Sequence, residues 1–232
     1  MLDYAWCSKL VSEPTKLRGT AGAFSLPAKF TCLAGKKSVE DFGADAKCSH
    51  CYACHGRYNF TSVKEAQLRQ LGHIKHLLEG NIYRAVCTMI VAVRSSRDTK
   101  QTSLFRIHSS GDFFSLDYIN LWYDVARLMP DITFWATTTE WYKADKVKMS
   151  ALNRFSKLSN VVLRPSAVKL NEPSPNFKGW AAGTAVFTEM PLENHYVCPA
   201  TTDKSGEHKT CKAWRCTVCW HEFSEKVAYK MH

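Results

Sequence analysis

Leu68, Leu71, Ile74 and Leu78 recur every three or four positions, the spacing that puts side chains on one helix face. Ser62-Val63-Lys64-Glu65 ahead of them has the form of a capping box, in which the serine hydroxyl accepts from the third helical N–H and the glutamate reaches back to the cap. Gly80 supplies a stop. The apolar run from Ile82 to Val93 predicts a second buried helix, with a strand as the alternative.

The middle of the chain changes period. Ser103 to His108 alternates as a strand does, Ser109-Ser110-Gly111-Asp112 makes a turn, and Ser115 can cap a helix. Ile119, Trp122, Val125 and Met129 form that helix's inner side, and Pro130 stops it. Ile132 to Thr137 is the next strand, a helix near 143–157 follows, and further strands are predicted at Val161–Leu163 and Thr184–Phe187. Strand, helix and strand in so short a span make a βαβ unit, which pairs its strands in parallel. The prediction is an α/β fold whose parallel βα units form a partial or full TIM-like barrel or an open sheet. Its organisation reads as one domain, 1–232: a loop-rich segment over 1–60 punctuated by Gly and Pro, a βα core over 61–190, and a second Cys-rich segment over 191–232.

Composition narrows the class. The chain has 232 residues, 45% of them hydrophobic, which is enough for a core and argues against disorder. No apolar run approaches the roughly 18 residues of a membrane span, so no membrane association is expected. Met1-Leu2-Asp3-Tyr4 lacks a basic start followed by an apolar stretch. The expected location is therefore cytoplasmic, the host cytoplasm for a viral chain. The net charge of +10 is spread along the chain with no basic tail, weaker evidence for nucleic acid than a stripe would be.

Ten cysteines in a reducing compartment suggest metal ligands rather than disulfides. Cys48-x2-Cys51-x2-Cys54 matches the first three cysteines of the bacterial ferredoxin run. The run's fourth position falls on Tyr58, so a remote ligand is needed and Cys32 is the available one. Cys211-x4-Cys216-x2-Cys219 copies plant-type ferredoxin spacing, with Cys198 as its remote partner. Both sets fit a [4Fe–4S] cluster, and both fit zinc held by thiolates as the alternative. His50 and His55 are nearby substitute ligands, whereas Cys87, in an apolar run, reads as a packed core thiol. A four-thiolate site carries a net charge of about −2 with either metal, so two would lower +10 to about +6.

In parallel α/β sheets, ligands gather at the carboxyl ends of strands. Arg106, His108, Gly111, Asp112, Thr138 and Arg164 all fall at such ends and are the candidate pocket for a small molecule. Alternation puts Arg106 and His108 on one side of their strand, and Gly111 would let a ligand approach the backbone. The plainer alternative is that Asp112 and Ser115 only cap a helix and that Arg106 and His108 are satisfied polar residues.

Several of these motifs also occur together in a known family. Cys32, Cys48-x2-Cys51-Tyr52-Ala53, Gly56-Arg57-Tyr58, Arg106 to Phe114, Phe134-Trp135-Ala136 and Cys198-Pro199 with the closing Cys-rich segment resemble the bacteriophage "gene product 88" family over roughly 17–221. More distantly, Ser110-Gly111-Asp112-Phe113 and Thr137-Thr138-Thr139 look like the second- and third-strand turns of radical S-adenosylmethionine enzymes. That likeness implies a first cluster that binds S-adenosylmethionine at an open iron and an auxiliary cluster in the late Cys set. The usual C-x3-C-x2-C is absent, however, and Cys54 as a fourth thiolate would close the first site.

Two functions follow as expectations. The first is a phage-encoded iron–sulfur protein with one or two [4Fe–4S] clusters, radical-SAM-like or electron-transferring. The alternative is a zinc-stabilised nucleic-acid-binding protein, for which Lys204, Lys209, Lys212, Trp214 and Arg215 are the residues to examine. Neither substrate, reaction nor oligomeric state is legible in the chain.

Overall fold

The strand–helix–strand succession expected through the middle of the chain forms, and it extends to both sides. The computed structural model describes residues 4–203, 210–221 and 223–231. In chain order these are α1 (Tyr4–Ser8), β1 (Gly22–Ala23), α2 (Ala28–Thr31), α3 (Leu33–Phe42), α4 (Thr61–Gly80), α5 (Ile82–Lys100), β2 (Leu104–Arg106), α6 (Leu116–Leu128), β3 (Thr133–Thr138), α7 (Lys146–Ser156), β4 (Val161–Pro165), β5 (Thr184–Phe187), β6 (Tyr196–Val197), α8 (Pro199–Thr202), α9 (Val218–His221) and β7 (Val227–Lys230). Single 3-10 turns at Lys47–His50, Tyr52–Cys54 and Gly56–Asn59 carry the first Cys loop.

All the named strand pairs are parallel. One sheet runs β1-β2-β3-β4 and the other β5-β7-β6. A parallel bridge from Ser166 to Thr184 links β4 to β5 across the gap. Among the described residues no ladder joins β1 to β6, so the full TIM-like barrel is not formed.

A parallel sheet needs cover on both faces, and two hydrophobic clusters provide it. On the helical side Phe105 and Phe134, opposite each other in register, meet Trp122 of α6, with Val125, Leu152 and Phe155 completing the layer. On the other side Ala23, Trp135 and Val162 meet Leu17 and Trp220. Strand alternation produces this division, since Phe105 points to the helices while Leu104 and Arg106 point away.

Local signals held unevenly. Ser115 caps α6 by accepting from Tyr118 N–H, and Ile119, Trp122, Val125 and Met129 are buried as expected. The run from Ile82 is helical, is capped by Asn81, and continues to Lys100. The capping box at Ser62 does not form: α4 starts at Thr61, so Ser62 lies inside the helix and the cap residue Phe60 has no side-chain bond. Leu71 and Ile74 of its apolar face are buried, while Leu68 is 44% exposed. The loop-rich segment contains a ten-residue helix, α3, that glycine punctuation concealed. Cys87 is half-buried beside the exposed Tyr83 one turn away, instead of packed in the core.

Trp122 touches Phe24, Phe105, Tyr118 and Phe134. Trp122→Ala should therefore lower unfolding stability by about 3–5 kcal/mol, read as a shift in the urea midpoint with an unchanged slope.

Candidate metal and ligand site

The first Cys set is assembled from two stretches. Cys32 lies in the connection after β1, between α2 and α3; beyond α3, Cys48 and Cys54 lie in 3-10 turns and Cys51 joins those turns. Gly35 marks how closely the two approach: a Cβ there would sit 2.9 Å from Cys48 Sγ and 3.2 Å from Cys32 Cβ. Burial raises the Cys32 thiol well above its ordinary pKa, and Asp112, Cys48 and Cys51 raise it further. Cys51 is pushed up to about 11, mainly by burial, with Cys54 as a hydrogen-bonding neighbour. Cys32 thus lies close to Cys48 and Cys51 although it is remote in sequence.

The second set comes together in the same way. Cys198 precedes α8, and its N–H donates to Ala228 of β7. Cys211 N–H donates to Lys16 O, which ties this loop to the turn before β1. Cys216 Sγ stands 3.5 Å from the Tyr196 hydroxyl, and Cys219 Sγ stands 3.4 Å from that of Tyr229. Burial pushes Cys211 up to about 11, with Cys198 and Cys216 adding to it, and pushes Cys219 up to about 12. Among the described residues, no group of three or more His, Cys, Asp or Glu side chains is arranged to hold a metal ion as it stands.

At the carboxyl ends of β2 and β3, Asp112 is a latch. Its Oδ1 accepts from Phe113 N–H and the Thr138 hydroxyl (2.6 Å), and its Oδ2 accepts from Thr139 N–H and the Thr139 hydroxyl. Asp112 and Thr138 are buried, and all these bonds are internal. Glu140 extends the latch: it accepts from Ala34 N–H beside Cys32 and pairs with Lys148.

Four pocket candidates take other roles. Gly111 does need its glycine, with φ at +87°, but Leu26 and Thr31 fill the space beside it, so no ligand approaches there. His108 does not share a side with Arg106, because β2 ends at Arg106 and the chain turns. The imidazole packs on Phe113 and Tyr118 and meets the Tyr118 hydroxyl at 3.1 Å. Arg164 is fully buried and donates to four backbone carbonyls, those of Ala182, Glu225, Val218 and Cys219. Thr138 serves the latch.

Arg106 is different. Its guanidinium lies 4.5 Å over the Trp135 ring, and Nη2 reaches the Tyr52 hydroxyl at 3.4 Å. Tyr52 sits within the first Cys loop and donates to Ser109 O, beside Tyr58. On the other side Trp135 contacts Trp220, the neighbour of Cys219, at 4.8 Å. Arg106 therefore stands between the two Cys sets. A surface hollow of about 450 Å³ bordered by α4 to α7 lies apart from both sets.

A family model described as Gene product 88 matches residues 7–222. The chain belongs to the Gene product 88 family. The match takes in both Cys sets and the residues between them. Gene 88 protein of Mycobacterium phage L5 is 54% identical over 39 residues, 17% of this chain and 16% of the relative. Gene 88 protein of Mycobacterium phage D29 is 40% identical over 76 residues, 32% of this chain and 29% of the relative. The chain thus aligns with less than a third of the length of either curated Gene 88 relative. No solved structure matches. No helix among the described residues is long and apolar enough to cross a membrane.

Tyr52, Tyr58, Lys16, Glu140, Trp220 and Tyr229 belong to the neighbourhood without having been singled out as site residues. Tyr52 and Trp220 adjoin cysteines, which is a usable signal, whereas nothing local marks Lys16 or Glu140.

Two predictions follow from the geometry. Arg164→Met leaves four carbonyls without their donor, so it should cost at least about 3 kcal/mol and speed amide exchange over 211–221. Burial, and secondarily the Arg106 charge, holds His108 at about 3, so it is neutral in the folded chain. The unfolded imidazole titrates near 6.5. The contribution is thus complete above about 6.5 and is lost as pH falls from there toward about 3, by up to about 1.4 kcal/mol per pH unit. Urea midpoints at pH 7 and pH 5 should differ less for His108→Phe than for the parent, by about 2 kcal/mol.

Proposed function

We propose that this protein is a phage-encoded iron–sulfur protein whose parallel strands form a partial barrel. One [4Fe–4S] cluster is held by Cys32, Cys48, Cys51 and Cys54, and a second by Cys198, Cys211, Cys216 and Cys219. The observation that carries the reading is that each set gathers a remote cysteine with a close-spaced group, at ferredoxin-like spacings. The first set follows β1 and abuts the latch after β2 and β3, where the radical S-adenosylmethionine likeness expects a cluster. When bound, the clusters supply electrons, and S-adenosylmethionine at an open iron would make the chemistry radical. The chain's own residues hold and shield the sites: Asp112 and Glu140 tie the strand ends to the Cys32 connection, and Arg164 holds the late Cys segment.

Anaerobic purification should yield brown protein with about four or about eight iron atoms per chain and matching sulfide. Colourless protein containing only zinc would overturn this reading. Cys54→Ala separates the two kinds of iron–sulfur protein. Loss of the first cluster makes Cys54 a ligand and the site a closed electron carrier, whereas an unchanged cluster that responds spectrally to S-adenosylmethionine makes it open.

The alternative, a zinc-stabilised nucleic-acid-binding protein, draws on exposed Trp214 with Lys212 and Arg215 in the late loop. Lys204 and Lys209 lie outside the described residues. Under that reading, DNA or RNA binding should weaken steeply with salt.

A further inference from the structure

We propose that Arg106, which stands between the two Cys sets, anchors a small ligand through a single carboxylate. The iron–sulfur reading enters only in saying what that ligand is near; the binding itself stands without it.

β2 and β4, on either side of β3, carry two arginines with opposite fates. Arg164 bonds to four carbonyls. Arg106 makes one bond to the Tyr52 hydroxyl, long at 3.4 Å, and its Nε is buried with no acceptor. Among the described residues it forms no ion pair. A guanidinium offers five N–H donors in a planar fork, and one long bond leaves most of that fork available to an anion.

Three cations face the second Cys set: Lys16 faces Cys198 and Cys211, Arg164 faces Cys219, and Arg106 faces both Cys211 and Cys219. Two of them match the net charge of about −2 of a four-thiolate metal site. The third, Arg106, exceeds that balance and has charge left for a ligand.

The surroundings select the ligand's class. Arg106 brings a single positive charge and forms no ion pair among the described residues, which suits a monoanion. A phosphate dianion calls for more positive charge. The planar fork matches a carboxylate. The Trp135 face beneath the guanidinium and the Tyr52 and Tyr58 rings beside it offer flat apolar walls to the rest of the molecule.

The test is calorimetric titration of the anaerobically purified protein with benzoate and, separately, with inorganic phosphate, alongside iron analysis and near-ultraviolet circular dichroism. Benzoate should bind saturably and more tightly than phosphate. Arg106→Met should weaken it by at least about tenfold, and Arg106→Lys by less, with iron content and folding signal unchanged in both. Absence of saturable benzoate binding, tighter binding of phosphate, or unchanged affinity in Arg106→Met would each overturn the proposal. So would loss of iron from Arg106→Met, which would make Arg106 a counter-ion of the metal. Protein without iron that still binds benzoate through Arg106 would refute the iron–sulfur reading and leave this one standing.

Discussion

One buried guanidinium holds the inner face of this molecule together. Arg164 sits on β4 with no exposure to solvent, and its donors converge on carbonyls of Ala182, Val218, Cys219 and Glu225. The long helices cover only one face of the first sheet, and the other needs a cover of its own. The late Cys segment provides it. Trp220 inserts against Trp135 and donates its indole N–H to Phe105 O. Because Arg164 fixes the backbone on either side of Trp220, it sets both the packing of that face and the position of Cys219.

A second tie, the Asp112 carboxylate, does for the strand ends what Arg164 does for the inner face. It bonds the turn after β2 to the end of β3 through Thr138 and Thr139. Glu140 then reaches the start of α3 and secures the Cys32 connection. Both charged residues are satisfied internally. Arg106 lies between these two ties with nearly all its donors unspent. That contrast separates the residues that build the site from the one that is available to a ligand.

Much of the core was legible because it is local. Ser115 capping α6, the buried stripe of Ile119, Trp122, Val125 and Met129, and the parallel strands around them follow from period and cap chemistry over a dozen residues. The two close-spaced cysteine groups, Cys48/Cys51/Cys54 and Cys211/Cys216/Cys219, were legible by spacing, whereas Cys32 and Cys198 lie remote from them in the chain. Ser62 misled because its capping box competes with a helix that starts one residue earlier at Thr61. Gly111 misled because a glycine that permits positive φ looks the same in sequence whether a ligand or Leu26 fills the adjacent space.

The chain by itself determined the helices and parallel strands of its middle and the close spacing of its thiols, since each depends on residues a few positions apart. The tertiary structure alone decided which polar residues are spent. Arg106, Asp112 and Arg164 are alike in sequence, all charged groups at strand ends. Whether a buried charge is satisfied depends on carbonyls and hydroxyls delivered from distant segments, such as Thr139 to Asp112 and Glu225 to Arg164. Those partners are set by the packing of the whole fold, and no local pattern encodes them.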